Sequence, residues 1–299
     1  MLCNRDSVFV YLEFNSDVEA LSSFGVASQK QRILRCRNCG LLFSDRVYDK
    51  TDKTVYYSKQ YHEKMNGAFD ADYSPGAKLQ CRQRVKLVKK FYARGKILDL
   101  GCSTGCFLKY CKKGGFNIFG LEPSGAAVNI CRTKLSVGKN RIEKSTIEGS
   151  KILTENTYEM ISAWDVIEHL TSIDNNFSKI IKALKKDGIL ILRTPDSNSI
   201  FFKIANFLKG INSSFCIYVI NSLFHADHFI FFNKKSLVFL SKKYNLKIIK
   251  ILPDPLLWRR FKESELNRGF LINAAVSIVY FLGRLFGRGH GIILIARKS

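Results

Sequence analysis

The sequence predicts an α/β fold: a mainly parallel sheet covered by helices on both faces, preceded by a small cysteine-containing module. Three observations carry that expectation. From residue 96 onward, apolar runs of strand length alternate regularly with amphipathic runs of helix length. The first of them, "ILDLGCSTGCFL" at 97–108, passes from an apolar strand through a glycine-rich turn toward a helix. Residues 1–50 have a different chemistry, with short apolar pieces and a C-x-x-C knuckle at Cys36 and Cys39.

Within 1–50, "VFVYLEF" and "RILRCRNCGLLFS" suit small strands rather than helices. Residues 51–92 form a lead-in, and from 78 to 92 the apolar positions Leu79, Val85, Leu87, Val88 and Phe91 recur at helical spacing. The main domain, 93–299, opens with the strand "KILDLG", the helix "GCFLKYCKKGG" closed by glycines, the strand "NIFGLEPS" and the helix "SGAAVNICRTKL", which has Ser124 in cap position. It continues through "RIEKSTIE", "YEMISAWDV", a helix around "NNFSKIIKALKKDG" and the strand "ILILRTP". A helix "KSLVFLSKKYN", a strand "LKIIKILP" and a last strand "GIILIARKS" complete it. A chain of 299 residues accommodates such a core together with a small module.

The formal charge of +23 attracts any anion, whether nucleic acid, an acidic substrate or an anionic membrane face. The basic residues are scattered with no block of five or six, which favours solvated faces and makes nucleic acid the weaker partner. Nine cysteines, an odd number, and an opening "MLCNRDSVFV" without a signal-like apolar run lead us to expect a cytoplasmic protein with reduced thiols. The most apolar stretch, 270–282, is shorter than the ~20 residues of a membrane span. Flanked by Arg268, Arg284 and Arg288, it suits a buried helix or one lying on a membrane surface, so a membrane-associated protein with peripheral membrane contact stays open.

The turn after the first strand is where an open α/β sheet binds its ligand. A dinucleotide pyrophosphate calls for G-x-G-x-x-G, but Ser103 stands at the second glycine and the last glycine is missing. A Walker loop requires a lysine where Cys106 stands. Asp99 beneath the turn and Glu122 at the end of the next strand disfavour phosphate and point to a nucleoside with a cationic tail.

On "ILDLGCSTGCFL", "FGLEPS", "ISAWDVIEHL", "LKKDGILILRTPD" and "HADHFIFFNKKSLVFL", in that order and spacing, residues 80–299 resemble the class I S-adenosylmethionine-dependent methyltransferases, in particular those of small-molecule and cell-surface biosynthesis. The resemblance implies a Rossmann-like sheet of seven strands with an antiparallel last strand, and S-adenosylmethionine as cofactor. It places Gly101, Cys102 and Gly105 along the methionine part, Asp99 under the turn, Glu122 on the ribose, and Thr146 and Ile147 beside the adenine. Many relatives have an aspartate where Thr146 stands. Trp164 and Asp165 would border cofactor and substrate, and "VYYSKQYHEKM" with Tyr56, Tyr57 and Tyr61 would cover the cofactor as a lid.

Methyl transfer from a sulfonium is an in-line displacement that chiefly requires alignment and exclusion of water. A hydroxyl acceptor is helped by a general base, for which His169, oriented by the adjacent Glu168, and His228 are the candidates. Relatives often read Pro-Glu-His-Leu-His-Tyr-Phe around His228; here Ile230 takes the place of the second histidine. The Asn/Asp-Pro-Pro-Tyr/Phe stretch of base-amino methyltransferases is replaced by "WDVIEH". A small molecule, a sugar or a lipid-linked glycan intermediate is therefore the expected acceptor, the basic surface favouring an anionic one, and an RNA-binding or RNA-modifying protein or a nonenzymatic relative are the competing readings.

At the front, relatives carry a second C-x-x-C that completes a zinc-ribbon-like module. Here the matching stretch is "CNRD", so the zinc set would be Cys3, Asp6, Cys36 and Cys39. The alternative is a degenerate module that keeps its fold by packing.

Overall fold

The computed structural model describes residues 8–15, 30–45, 75–208, 223–224, 228–254, 281 and 289–299. The seven-stranded sheet implied by the sequence is present. Its strands are β4 (Lys96–Leu100), β5 (Asn117–Glu122), β6 (Ile142–Lys144), β7 (Tyr158–Trp164), β8 (Leu184–Pro195), β10 (Leu246–Pro253) and β11 (Gly291–Lys298). The order across the sheet is β10-β11-β8-β7-β4-β5-β6. The chain begins in the middle, runs outward through β5 and β6, then crosses back to β7 on the other side of β4. Strand order reverses between β4 and β7, which makes the carboxyl ends of β4, β5 and β7 the site-forming edge. β11 runs antiparallel to both β8 and β10.

Strand alternation divides the core into two layers. On one face Ile97, Met160, Ile189, Ile191, Ile293 and Ile295 pack with α1 (Pro75–Val88), α2 (Cys106–Lys113) and α3 (Gly125–Leu135). On the other, Leu98, Leu100, Ile161, Leu190, Leu192 and Leu294 pack with α4 (Ile173–Ala183) and α6 (Lys234–Lys243). Ser124 caps α3 as its position in the sequence implies, its hydroxyl accepting from Ala127 N at 3.4 Å. One strand differs from the sequence reading: β8 starts at Leu184, not at Ile189, because Leu184 already pairs with Tyr158. The intervening "KKDG" is accommodated as a register shift, with Asp187 at φ 62°. The sequence reading also did not assign α5 (Ile200–Leu208).

A second, antiparallel sheet has the order β1 (Val8–Asn15), β2 (Lys30–Cys36), β3 (Leu42–Ser44) and β9 (Ile230–Phe231). Its last strand comes from beyond β8, so the strands of the N-terminal segment share a sheet with the main domain. Further bonds join the two: Ser44 N donates to Phe229 O at 2.9 Å, and Asn233 Nδ2, at the cap of α6, donates to Gly40 O at 2.7 Å. Cys36, Cys39 and Leu41 accordingly lie in the same apolar layer as α4 and α6. Among the described residues, no helix is long and apolar enough to cross a membrane.

Candidate active site at the carboxyl edge of the sheet

The turn after β4 is built by backbone conformations that side chains resist. Gly101 and Gly105 have φ of 67° and 85°, and Ser103 lies between them at 49°. A Cβ on Gly101 would stand 2.6 Å from Val166 Cγ2, and one on Gly105 2.6 Å from Cys131 Sγ. The protein's own packing thus demands both glycines. Gly101 N and Cys102 N both donate to Leu121 O, at 2.8 and 3.1 Å, which ties the turn to the end of β5. Cys102 points away from this edge: its thiol is buried against Cys131 and Gly120, where a Cβ would approach Cys102 Sγ to 2.6 Å. Of the three turn residues assigned to the cofactor, Cys102 therefore offers only its backbone.

Two acids lie at the turn. Glu122 is 6% exposed; its Oε2 accepts from Ser103 N at 3.0 Å and its Oε1 from Ser124 N at 2.9 Å. Burial raises its pKa, and these two amides oppose the rise. Asp99 alternates onto the α1 side of β4 and is buried, accepting from Ser162 Oγ at 2.6 Å. Burial lifts its pKa to about 7; the Ser162 hydroxyl and Arg84 counteract this and Glu122 adds to it. Thr146 and Ile147 follow β6 beside this group, where Ser145 N donates to Glu122 O at 3.2 Å; Thr146 is exposed and Ile147 buried.

At the end of β7, Trp164 is buried edge-on against Phe107, with ring centroids 5.5 Å apart, and the Arg84 guanidinium lies 4.3 Å from its ring centre. Asp165, at φ 61°, is ion-paired with Arg193 and approaches Arg84 Nη2 at 3.8 Å. Arg193 also holds Asp254 through Nε at 2.9 Å, and both of these side chains are buried. Gly291 makes room for the guanidinium, since a Cβ there would be 2.5 Å from Arg193 Nη2. Sequence reasoning missed Arg193 and Asp254. The available signal was an arginine inside the otherwise apolar run "ILILRTP".

The three residues expected to act on a proton come together. Glu168 and His169 lie in the 3₁₀ turn Ile167–His169 after β7, and His228 lies two residues before the start of β9. Phe229 N donates to Glu168 O at 2.8 Å, which docks the His228 segment on that turn. The two imidazoles meet edge-on with centroids 4.7 Å apart, and a ligating atom from each of Glu168, His169 and His228 lies within 4.8 Å of the others. Glu168 is 1% exposed, whereas both histidines are half-buried. Of the zinc set, Cys36 and Cys39 are buried, while Cys3 and Asp6 lie outside the described residues. The lid tyrosines Tyr56, Tyr57 and Tyr61 also lie outside them, as does 270–282 apart from Phe281.

The donor and acceptor set fits S-adenosylmethionine. Each oxygen of Glu122 holds one backbone amide and keeps lone-pair capacity for one hydroxyl of a ribose. The acidic side chains of Asp99 and Glu122 suit a sulfonium, whose positive charge would favour their ionised forms, and oppose a pyrophosphate.

Comparison with known proteins agrees. A family model described as a methyltransferase domain matches residues 75–251. A ubiquinone biosynthesis O-methyltransferase of Rhodopseudomonas palustris is 28% identical over 112 residues, 37% of this chain and 44% of the relative. The chain thus spans somewhat less than half the length of that relative. Among solved structures, magnesium protoporphyrin IX methyltransferase from Synechocystis, with bound S-adenosylhomocysteine, superposes with a TM-score of 0.54 at 14% identity, covering 84% of this chain and all (100%) of that one. Geranyl diphosphate C-methyltransferase from Streptomyces coelicolor gives 0.52 at 14% identity over 74% of this chain and 81% of its own. At these identities the likeness to the solved structures is one of fold.

Proposed function

This chain belongs to the methyltransferase-domain family, and from that premise we propose that it transfers a methyl group from S-adenosylmethionine to a hydroxyl of a small molecule. The observation that carries the reading is the convergence of Glu168, His169 and His228 on the same sheet edge as the Glu122 turn. The cofactor, when bound, supplies an electrophilic methyl group on a sulfonium. Glu122 would hold the ribose, the Gly101 to Gly105 backbone would lie along the amino-acid part, and Thr146 and Ile147 would flank the adenine. Trp164 and Asp165 would border the cofactor and the substrate mouth, with Asp165 fixed by Arg193 and Arg84.

His228 and His169 meet edge to face, so either imidazole can take the proton from an acceptor hydroxyl beside the Glu168 carboxylate. That arrangement favours oxygen as the methylated atom, as do the O-methyltransferase names of the curated relatives. The acceptor classes we carry forward are a small alcohol or phenol, a sugar, and a lipid-linked glycan intermediate; the charge of +23 supports an anionic one.

The test is titration calorimetry with S-adenosylmethionine and S-adenosylhomocysteine, with NAD as control, followed by an acceptor screen. Native protein is expected to bind both sulfur compounds and not NAD. Glu122→Ala is expected to weaken binding by about 2 kcal/mol, the scale of a hydrogen bond to a charged group. His228→Gln is expected to bind the cofactor normally and to lose roughly 10²- to 10⁴-fold in turnover. Absence of binding by the native protein, or binding indifferent to Glu122→Ala, would overturn the reading.

A further inference from the structure

Basic residues that are dispersed along the sequence are gathered by the fold. Between Pro75 and Ile142 the chain carries fifteen Lys and Arg but only two acids, Asp99 and Glu122, and both of these are buried. That stretch supplies α1, α2 and α3, which cover one face of the large sheet and turn Val85, Val88, Phe107, Leu108, Val128 and Leu135 inward. Their outward side is rich in lysine. Lys86 of α1, Lys89 and Lys90 just past its end, and Lys112 and Lys113 of α2 are all exposed. The three helices form one surface: the Arg82 guanidinium of α1 lies over Tyr110 of α2, 5.5 Å from the ring centre, and Lys112 Nζ donates to Leu135 O, at the end of α3, at 2.6 Å. The other face of the sheet differs, since there Lys243 pairs with Asp174 at 2.6 Å and Lys182 with Glu155 at 3.6 Å.

We propose that the face built by α1, α2 and α3 docks on an anionic phospholipid surface. Charge and side-chain type together choose this occupant. With no exposed acid in the stretch that builds it, the face concentrates anions. Each Lys or Arg held near an anionic bilayer strengthens attachment roughly fivefold. Nucleic acid is better served by arginine forks and by open aromatic faces on which bases stack. Here the exposed cations are chiefly lysines, point charges suited to a diffuse layer of head groups, and Arg82 already lies over Tyr110. Among the described residues, no exposed large apolar side chain lies on these three helices, so attachment is electrostatic, without insertion, and sensitive to salt.

The face reaches the candidate site. α2 begins directly after Gly105, and α3 is capped by Ser124, two residues beyond Glu122. A bilayer held on this face therefore passes the carboxyl edge of the sheet, where an amphiphilic acceptor is met at the level of the head groups. That consequence rests on the methyl-transfer reading given above; the docking itself does not.

The experiment sediments the full chain with vesicles of phosphatidylserine mixed equally with phosphatidylcholine, and with vesicles of phosphatidylcholine alone. Expected is binding to the first only, lost as salt rises from about 0.1 M to about 1 M and the Debye length shrinks from ~10 Å to ~3 Å. The triple variant Lys86→Gln, Lys90→Gln, Lys113→Gln should bind roughly 10²-fold more weakly. The same loss of charge on the opposite face, Lys234→Gln, Lys235→Gln, Lys242→Gln on α6, should leave binding within about threefold of native, because that face lies beyond a Debye length from the bilayer. Both variants remove exposed side chains only, and their urea midpoints should match the native one. No binding to either vesicle, equal binding to both, equal weakening by the two variants, or binding to an RNA duplex without binding to vesicles would overturn the proposal. Titration with S-adenosylmethionine separates the two readings: a protein that binds the cofactor and ignores vesicles refutes the docking alone, whereas one that docks and does not bind the cofactor refutes the methyl-transfer reading alone.

Discussion

Replacing Asp99 with asparagine isolates the cost of placing a carboxyl group beneath the turn. Its pKa rises from 3.8 to about 7, mainly through burial. At ~1.36 kcal/mol per unit, a shift of about three units corresponds to about 4 kcal/mol. The sign follows from proton binding: between these two values the folded chain holds a proton that the unfolded chain has released. Stability contributed at this site is full below pH 3.8 and is lost as pH rises through about 7. Asparagine keeps an oxygen to accept from Ser162 Oγ, now at 2.6 Å, and does not titrate. Asp99→Asn should therefore match the native protein in urea unfolding near pH 4. It should exceed the native protein by a margin that grows toward about 4 kcal/mol by pH 8. A stability difference independent of pH would refute the reasoning, because it would mean that folding does not shift the Asp99 pKa.

The ion pairs and the turn make two further predictions, both readable by urea unfolding. Arg193→Met leaves Asp165 and the buried Asp254 without the cation they share, at a cost of about 3–5 kcal/mol; adding Asp254→Leu should recover a large part, and a change within about 0.5 kcal/mol would refute the role. Gly105→Ala places a methyl 2.6 Å from Cys131 Sγ at φ 85° and should cost about 1–3 kcal/mol. Cys131→Ala in the same background should relieve the clash but not the backbone strain.

The sheet was legible because its signals are local. Apolar runs such as "KILDLG" and "GIILIARKS" carry strand length and burial in themselves, and Ser124 announces the start of α3 by its own hydrogen bond. β8 is where local reading fell short: "LKKDG" looks like a helix end and turn, and only the partner Tyr158 makes Leu184 part of a strand. Glu122 was read from its place at a strand end, and the structure adds that both of its oxygens already hold the turn.

By itself the sequence determined the order of elements, the glycine turn, the acids beside it and the two histidines as candidates, since each is encoded within a dozen residues. Only the tertiary structure decided that His228, some 60 residues beyond His169 in the sequence, meets it edge to face. It also decided that Arg193 serves two aspartates and that Cys102 turns inward. These are pairings between strands and helices distant in the chain. They depend on which elements the sheet order makes neighbours, and no local periodicity records that.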